Sequence, residues 1–215
     1  MTPIAMSHSK STEQEIVYLI DRNDRLSEVG GSWTQFAQAN DCDAVMPDRV
    51  LGRPLWDFIT DTHVRELYRR MIQRARDRHP VQFDYRCDAP ECRRLFRMTI
   101  HALEEGSVEF VTRLLWQEPR PRVDMLDQKV PASGPWVRVC SWCEKVSLPN
   151  GVWAPVEEAA EKLGFLAEEH VPRLTHGICP PCHSSMLAQL EPMAGTSGRD
   201  RDIPNPIGGD SSSAP

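Results

Sequence analysis

The longest helical pattern of apolar residues runs from Asp61 to His79. Its apolar positions recur at intervals of three and four residues, the spacing that places side chains on one face of a helix. Asp61 is predicted to cap the N-terminus of this helix, and Pro80 ends it. A shorter helical pattern covers residues 32–39. The apolar face of the long helix consists of Val64, Leu67, Tyr68, Met71, Ile72 and Ala75.

Short apolar runs and alternating patterns predict strands on either side of these helices. In the last alternating run, residues 107–116, Phe110 and Trp116 fall on the same predicted face. Val108, Thr112 and Leu114 share that face. The order of strand, short helices, long helix and three antiparallel strands predicts an α+β fold, an antiparallel sheet with flanking helices. The predicted strands are 16–20, 81–87, 95–102 and 107–116.

Changes in composition divide the chain into two compact blocks, a linker and two tails. Small polar residues predict a flexible N-terminal tail, and Gly, Ser, Pro and Asp dominate a C-terminal tail that is predicted to be disordered. Prolines and a glycine mark the linker between the blocks. The predicted organisation is a tail at 1–12, a first block at 13–118, a linker at 119–135, a cysteine-rich second block at 136–192 and a tail at 193–215.

The overall composition is that of an ordinary soluble globular protein, with 215 residues, 40% of them hydrophobic and 26% charged. A net charge of −6 argues against nucleic acid as the main partner. No stretch approaches the ~20 apolar residues of a membrane span, and the N-terminus lacks the apolar core of a secretory signal. We therefore expect a cytoplasmic protein whose seven cysteines are reduced, which favours metal binding over disulfides.

Two Cys-x-x-Cys motifs in the second block indicate a metal site. Cys140 and Cys143 form the first motif, and Cys179 and Cys182 form the second after a gap of 35 residues. Four thiolates delivered in pairs suit tetrahedral zinc, so these four cysteines are the predicted ligands of a small zinc-ribbon-like module. A block of this size has a thin core, and a structural zinc ion would supply much of its folding free energy.

Helical patterns in the second block explain part of the long gap. Residues 155–164 have one apolar face, with Pro155 suited to the start and Gly164 to the end of a helix. A second helix is predicted from Pro180 or Pro181 to Leu190. It would place Cys182 in its first turn, where backbone N–H groups favour a thiolate.

Other residue patterns leave alternatives to the zinc site open. His176 could replace one thiolate as a ligand. Cys179 and Cys182 could instead form a thiol–disulfide redox pair, which would predict disulfide-exchange activity. The sequence from Cys179 to His183 also satisfies the pattern of c-type haem attachment, and His63 on the long helix is a candidate haem ligand.

The first block resembles a PAS domain. The similar segments are Leu19-Ile-Asp21, Gly31-Ser-Trp33, the stretch 51–59, the long helix and the predicted hairpin at 85–90. This resemblance implies a sensory or protein-interaction domain whose helices cup a pocket against one face of a sheet. It also implies self-association, which is common in such domains, and it leaves the bound ligand unknown.

The second block resembles a small cysteine-rich segment at the C-terminus of some bacterial response-regulator and PAS proteins. The similar segments are 139–143 and 175–182. This resemblance implies a bacterial signalling context in which the partners are other signalling proteins. We find no nucleophile–base set and no phosphate-binding loop, so we expect a non-enzymatic adaptor. We expect loss of Cys140 and Cys143 to unfold only the second block.

Overall fold

The computed structural model describes residues 15–164 and 171–191, so the tails predicted at 1–12 and 193–215 lie outside the described residues. The first block contains one sheet in which every pair of neighbouring strands is antiparallel. Its strands are β1 (Ile16–Ile20), β2 (Leu26–Gly31), β3 (Val81–Arg86), β4 (Cys92–Ala102) and β5 (Val108–Pro119). They lie in the order β2-β1-β5-β4-β3.

Three helices lie between β2 and β3 in the sequence and pack against the sheet. They are α1 (Trp33–Ala39), α2 (Pro47–Val50) and α3 (Thr62–Arg76). The apolar face of α3 contributes Leu67 and Met71 to the same fully buried core as Phe110 of the sheet. The prediction of an α+β fold with an antiparallel sheet and flanking helices is confirmed. Among the described residues, no helix has the length and apolar character needed to cross a membrane.

Asp61 fixes the start of α3. Its Oδ1 accepts hydrogen bonds from the backbone N–H groups of His63 and Val64, both at 3.0 Å, so the predicted N-cap is confirmed. The helix is shorter than predicted because Arg78 has a φ of 66°, a left-handed conformation through which an α-helix does not continue. The other carboxylate oxygen of Asp61 pairs with Arg138 of the second block.

The second block forms a separate small sheet with two helices. Its elements are β6 (Ala132–Cys140), β7 (Val146–Ser147), β8 (Trp153–Ala154), α4 (Val156–Lys162), β9 (Val171–Gly177) and α5 (Pro180–Leu190). The strands lie in the order β8-β7-β6-β9, and β6 and β9 are parallel. Strand β6 begins inside the predicted linker, which also contains a single 3-10 turn at Asp124–Leu126.

The end of β5 departs from the predicted alternation. Strand β5 carries a bulge opposite Leu95 and Phe96, where its pairing skips one residue. A shift of one residue moves the following side chains to the other face of a strand. Trp116 therefore does not share a face with Phe110 and is 41% exposed, so the prediction that both lie on one face is wrong.

The core of the first block is shared with the second block. Trp142, Ile178 and Met186 of the second block belong to the same buried apolar cluster as the residues of α3 and the first sheet. A separate cluster, which includes Val139 and Ala159, packs β6 and β7 against α4. The cysteine-rich block therefore has a core of its own around α4, whereas its two cysteine motifs pack into the interior of the first block.

A buried ionic network also joins the two blocks. Asp88, in the turn between β3 and β4, has a fully buried side chain that pairs with Arg120 at 3.0 Å and also with Arg86. The side chain of Arg120 is only 1% exposed and also reaches Glu157 of α4 at 3.4 Å. Arg93 of β4 binds the same carboxylate of Glu157. These ion pairs fix the path of the chain as it leaves β5.

Replacing Asp88 with alanine is expected to destabilise the protein by about 3–5 kcal/mol, because the buried guanidinium of Arg120 would lose its nearer carboxylate and keep only that of Glu157. Urea denaturation followed by circular dichroism measures this loss. Asp84→Ala is the matched control, since Asp84 forms a solvent-exposed ion pair with Arg97 on the neighbouring strand and should change stability little. Equal losses in the two variants would show that the buried network does not hold the blocks together.

Candidate metal centre

Parallel pairing of β6 with β9 brings the two cysteine motifs together. Cys140 is the last residue of β6 and pairs with Gly177, the last residue of β9. The chain then continues to Cys179, the N-cap residue of α5, and Cys182 lies in the first turn of that helix. Parallel strands require a long crossover connection, and β7, β8 and α4 lie in this one. The long gap between the motifs therefore follows from the fold.

The four sulfur atoms form one compact group. The Sγ atoms of the four cysteines all lie within 4.8 Å of one another, and those of Cys143 and Cys179 are 3.7 Å apart. Tetrahedral zinc with Zn–S bonds of about 2.3 Å requires S–S distances of about 3.8 Å. Cys140 and Cys179 are buried, whereas the other two cysteines are partly exposed. The donor set and its spacing therefore fit a four-thiolate zinc ion.

Hydrogen bonds favour a negative charge at Cys140. A hydrogen bond from the thiol of Cys143 and another from the backbone N–H of Cys179 lower the pKa of Cys140 to about 5, against the opposing effect of burial. The donating thiol of Cys143 has a raised pKa for the same reason. Burial is the main cause that raises the pKa of Cys182 to about 12. These shifts favour the thiolate form at Cys140 over Cys143 and Cys182, and a bound metal must displace the protons of the neutral thiols.

His176 lies on β9 but outside the compact sulfur group. It pairs with Val139, whereas Cys140 pairs with the next residue of β9, Gly177. Because side chains alternate along a strand, His176 is placed on the opposite face from Cys140. The group of side chains close enough to share one ion consists of the four cysteines and does not include His176.

The two histidines considered as haem ligands meet each other at the junction of α3 and α5. The rings of His63 and His183 are edge to face, with their centres 5.7 Å apart. The side chain of His63 is 66% exposed. Attachment of haem through Cys179 and Cys182 would remove two members from the compact sulfur group.

Trp142, inside the first motif, connects the sulfur group to the first block. Its side chain is only 7% exposed and packs against Phe83 of β3 at 5.6 Å and Tyr68 of α3 at 6.3 Å between ring centres. Its carbonyl oxygen accepts a hydrogen bond of 2.9 Å from the backbone N–H of Arg86. Sequence analysis missed this role, because an aromatic residue between two candidate ligands does not show which core its ring enters.

A cavity of about 310 Å³ lies where α3, the first sheet and the first cysteine motif meet. Its walls include Tyr68, Tyr85 and Met98 of the first block, together with Ser141 and Trp142. Burial raises the pKa of Tyr68 to about 12, so its hydroxyl stays protonated at neutral pH. The volume is at the lower end of that found for small-molecule sites.

Comparisons with known proteins give no family for the chain. No family model matches it, and no curated protein is significantly similar to it. One solved structure that matches part of the chain is a domain of an HTR-like protein from Haloarcula marismortui ATCC 43049, with 13% sequence identity and a TM-score of 0.34. The match covers 48% of this chain and 99% of that domain.

Proposed function

We propose that this protein is a non-enzymatic signalling adaptor in which a PAS sensor is coupled to a zinc-stabilised protein-interaction module. The observation that carries the proposal is the position of Trp142. It stands between two candidate metal ligands in the sequence, and its ring packs into the core of the first block. A change at the candidate metal site would therefore be transmitted through direct contact to the core of the first block, and a change in that core would be transmitted to the metal site.

The assignment of the sensor rests on the fold and on the sequence resemblance. The helices between β2 and β3 pack against an antiparallel sheet, and a cavity lies between α3 and that sheet. This is the arrangement that the PAS resemblance implies. The ligand of the cavity is left open, and self-association through the PAS block is part of the proposal.

The assignment of zinc rests on the sulfur geometry. Zinc bound by four thiolates would close the site and act structurally, with no open position for catalysis. The redox alternative is less well supported, because a reactive cysteine needs access to its substrate and Cys179 is only 2% exposed. The protein would work in a reducing compartment such as the cytoplasm, where the thiolates remain available to the metal.

The coupling would act through two contacts with α3. Trp142 packs against Tyr68 in the middle of the helix, and Arg138 pairs with Asp61 at its N-terminus. Arg138 and Cys140 lie two residues apart on β6. A ligand or partner that shifts α3 would therefore shift the strand that leads into the zinc site, and a rearranged surface would be presented to signalling partners.

Removing zinc with a chelator is expected to speed amide hydrogen exchange in the first block as well as in the second. The reporter is the amide of Arg86 on β3, because it donates its hydrogen bond to Trp142. The amides of His63 and Val64 report on the N-terminus of α3. Exchange that increases only within 136–191 would contradict the proposed coupling, and addition of zinc should restore the original rates.

A further inference from the structure

A second and larger cavity lies at the junction of the two blocks. Its volume is about 570 Å³, and its walls come from α1, the turn between β3 and β4, the segment 125–132 and β9. This volume is within the range of small-molecule sites. Phe36, Met125 and Leu174 contribute apolar surface to the walls.

Arg94 of β4 supplies a positive charge to this cavity. Its Nε donates to the carbonyl oxygen of Cys87 at 2.7 Å, and its Nη2 donates to the side-chain oxygen of Asn40 at 2.8 Å. The guanidinium also lies over the rings of Phe36 and Phe96, 5.2 and 5.7 Å from their centres. All these partners are neutral, so they hold the side chain in place, and no carboxylate of the described residues pairs with its charge.

Three of the four carboxyl groups in the walls of the cavity are paired with other cations. Asp41 pairs with Lys129 at 3.0 Å, and Asp127 pairs with Arg122. Asp88 has its own arginine partners in the buried network between the blocks. Glu144 is the fourth carboxyl group of the wall, and it has no ion pair within the part of the chain that the structure describes. Arg94 is thus the arginine of the wall that no carboxylate of the described residues neutralises, and its charge is available to a ligand.

We infer that this cavity binds a small organic carboxylate with an apolar body, held by Arg94. A guanidinium has five N–H donors in a planar fork, and Arg94 uses two of them in the hydrogen bonds to Cys87 and Asn40. The remaining donors suit a carboxylate, which arginine binds in two-pronged fashion. The apolar body of the ligand would contact Phe36, Met125 and Leu174.

Binding at this position would connect the two blocks. Arg94 and Phe36 belong to the first block, whereas Met125 and Leu174 come from the connecting segment and from β9. A bound carboxylate would therefore stabilise one arrangement of the blocks relative to others. This site goes beyond the proposed zinc coupling and does not depend on it, since none of the four cysteines of the sulfur group lines the cavity.

A titration of the full-length protein with 4-fluorobenzoate, followed by fluorine NMR at constant ionic strength, tests the site. We expect saturable binding with a dissociation constant of about 1 mM or lower. The uncharged analogue 4-fluorobenzamide should bind at least about tenfold more weakly, because it cannot form the charge-assisted pair with Arg94. Arg94→Gln should also weaken binding of 4-fluorobenzoate at least about tenfold.

Arg97→Gln is the matched control, because Arg97 lies on the same strand, pairs with Asp84 and does not line the cavity. It should bind like the unaltered protein. If Arg94→Gln does not fold, Arg94→Lys keeps the charge without the fork and should bind with reduced affinity. Equal affinity for the acid and the amide, or unchanged binding in a folded Arg94 variant, would overturn the inference. So would absence of binding, which would mean that solvent and chloride alone fill the cavity.

Zinc measured on the same samples separates this result from the proposed function. Binding of 4-fluorobenzoate by a protein that holds no zinc would remove the zinc module and leave the carboxylate site standing. A protein that holds zinc and does not bind 4-fluorobenzoate would remove the carboxylate site and leave the zinc module standing.

Discussion

Replacing Cys140 and Cys143 with serine is expected to unfold the first block together with the second. A structural zinc site contributes about 10–16 kcal/mol of folding free energy in small zinc peptides, which exceeds or matches the ~5–15 kcal/mol total stability of a typical domain. Trp142 lies between these two cysteines and forms part of the core of the first block. Near-ultraviolet circular dichroism and amide NMR spectra of residues 16–119 measure the loss of structure directly.

Cys92→Ser is the control for loss of a thiol outside the sulfur group. Cys92 begins β4 and is only partly buried, so the variant should retain the spectrum of the unaltered protein. A first block that keeps its native spectrum in the double variant would contradict the shared core. It would restore the expectation, drawn from the sequence, that only the second block depends on these cysteines.

Replacing Trp142 with alanine is expected to cost about 3–5 kcal/mol, because it removes a large buried ring between two packed elements. The loss should appear as a lower midpoint of urea denaturation. The substitution should also reduce zinc affinity, since the ring of Trp142 helps to hold the first cysteine motif in place. Competition with a coloured zinc chelator measures that second effect.

Trp136→Ala provides the matched control, because Trp136 also lies on the second block but is 66% exposed. The free energy of unfolding of this control variant should differ from that of the unaltered protein by less than about 1 kcal/mol. Similar losses in the two tryptophan variants would argue against a special position for Trp142. A destabilised Trp142 variant with unchanged zinc affinity would separate packing from metal binding and would remove the proposed coupling.

Local patterns in the sequence were sufficient to predict the elements of the first sheet that have a regular apolar face. The long helix and its cap at Asp61 follow from apolar spacing and a short acceptor side chain. Phe96, Met98 and Ile100 alternate on β4 and are all buried, as the pattern indicates. The helix after Cys179 also follows from local signals, since prolines stand at its first positions.

The features that could not be predicted depend on contacts between distant residues. Strand β2 was missed because its buried residue Leu26 is followed by two exposed positions and the strand ends in glycines. The pairing of β6 with β9 joins residues far apart in the chain and leaves no periodic signal in either strand. The bulge in β5 likewise depends on how that strand pairs with β4.

The candidate metal ligands were predictable because chemistry restricts their spacing within each motif. Their surroundings were not predictable in the same way. Nothing in the sequence between Cys140 and Cys143 indicates that Trp142 packs against Tyr68 and Phe83 rather than into the second block itself. Composition marked 119–135 as a linker, whereas Arg120 is anchored by buried ion pairs.

The most direct test of the central claim is the zinc content of the protein, purified without a metal-binding affinity tag or added metal, with a visible spectrum of the same sample. The account predicts about one zinc ion per chain and a colourless protein, as expected for a four-thiolate structural site. It predicts loss of that zinc in the variant lacking Cys140 and Cys143. Negligible zinc with four titratable thiols in the group would contradict the account and favour a redox pair, and a haem absorption band would favour the haem alternative.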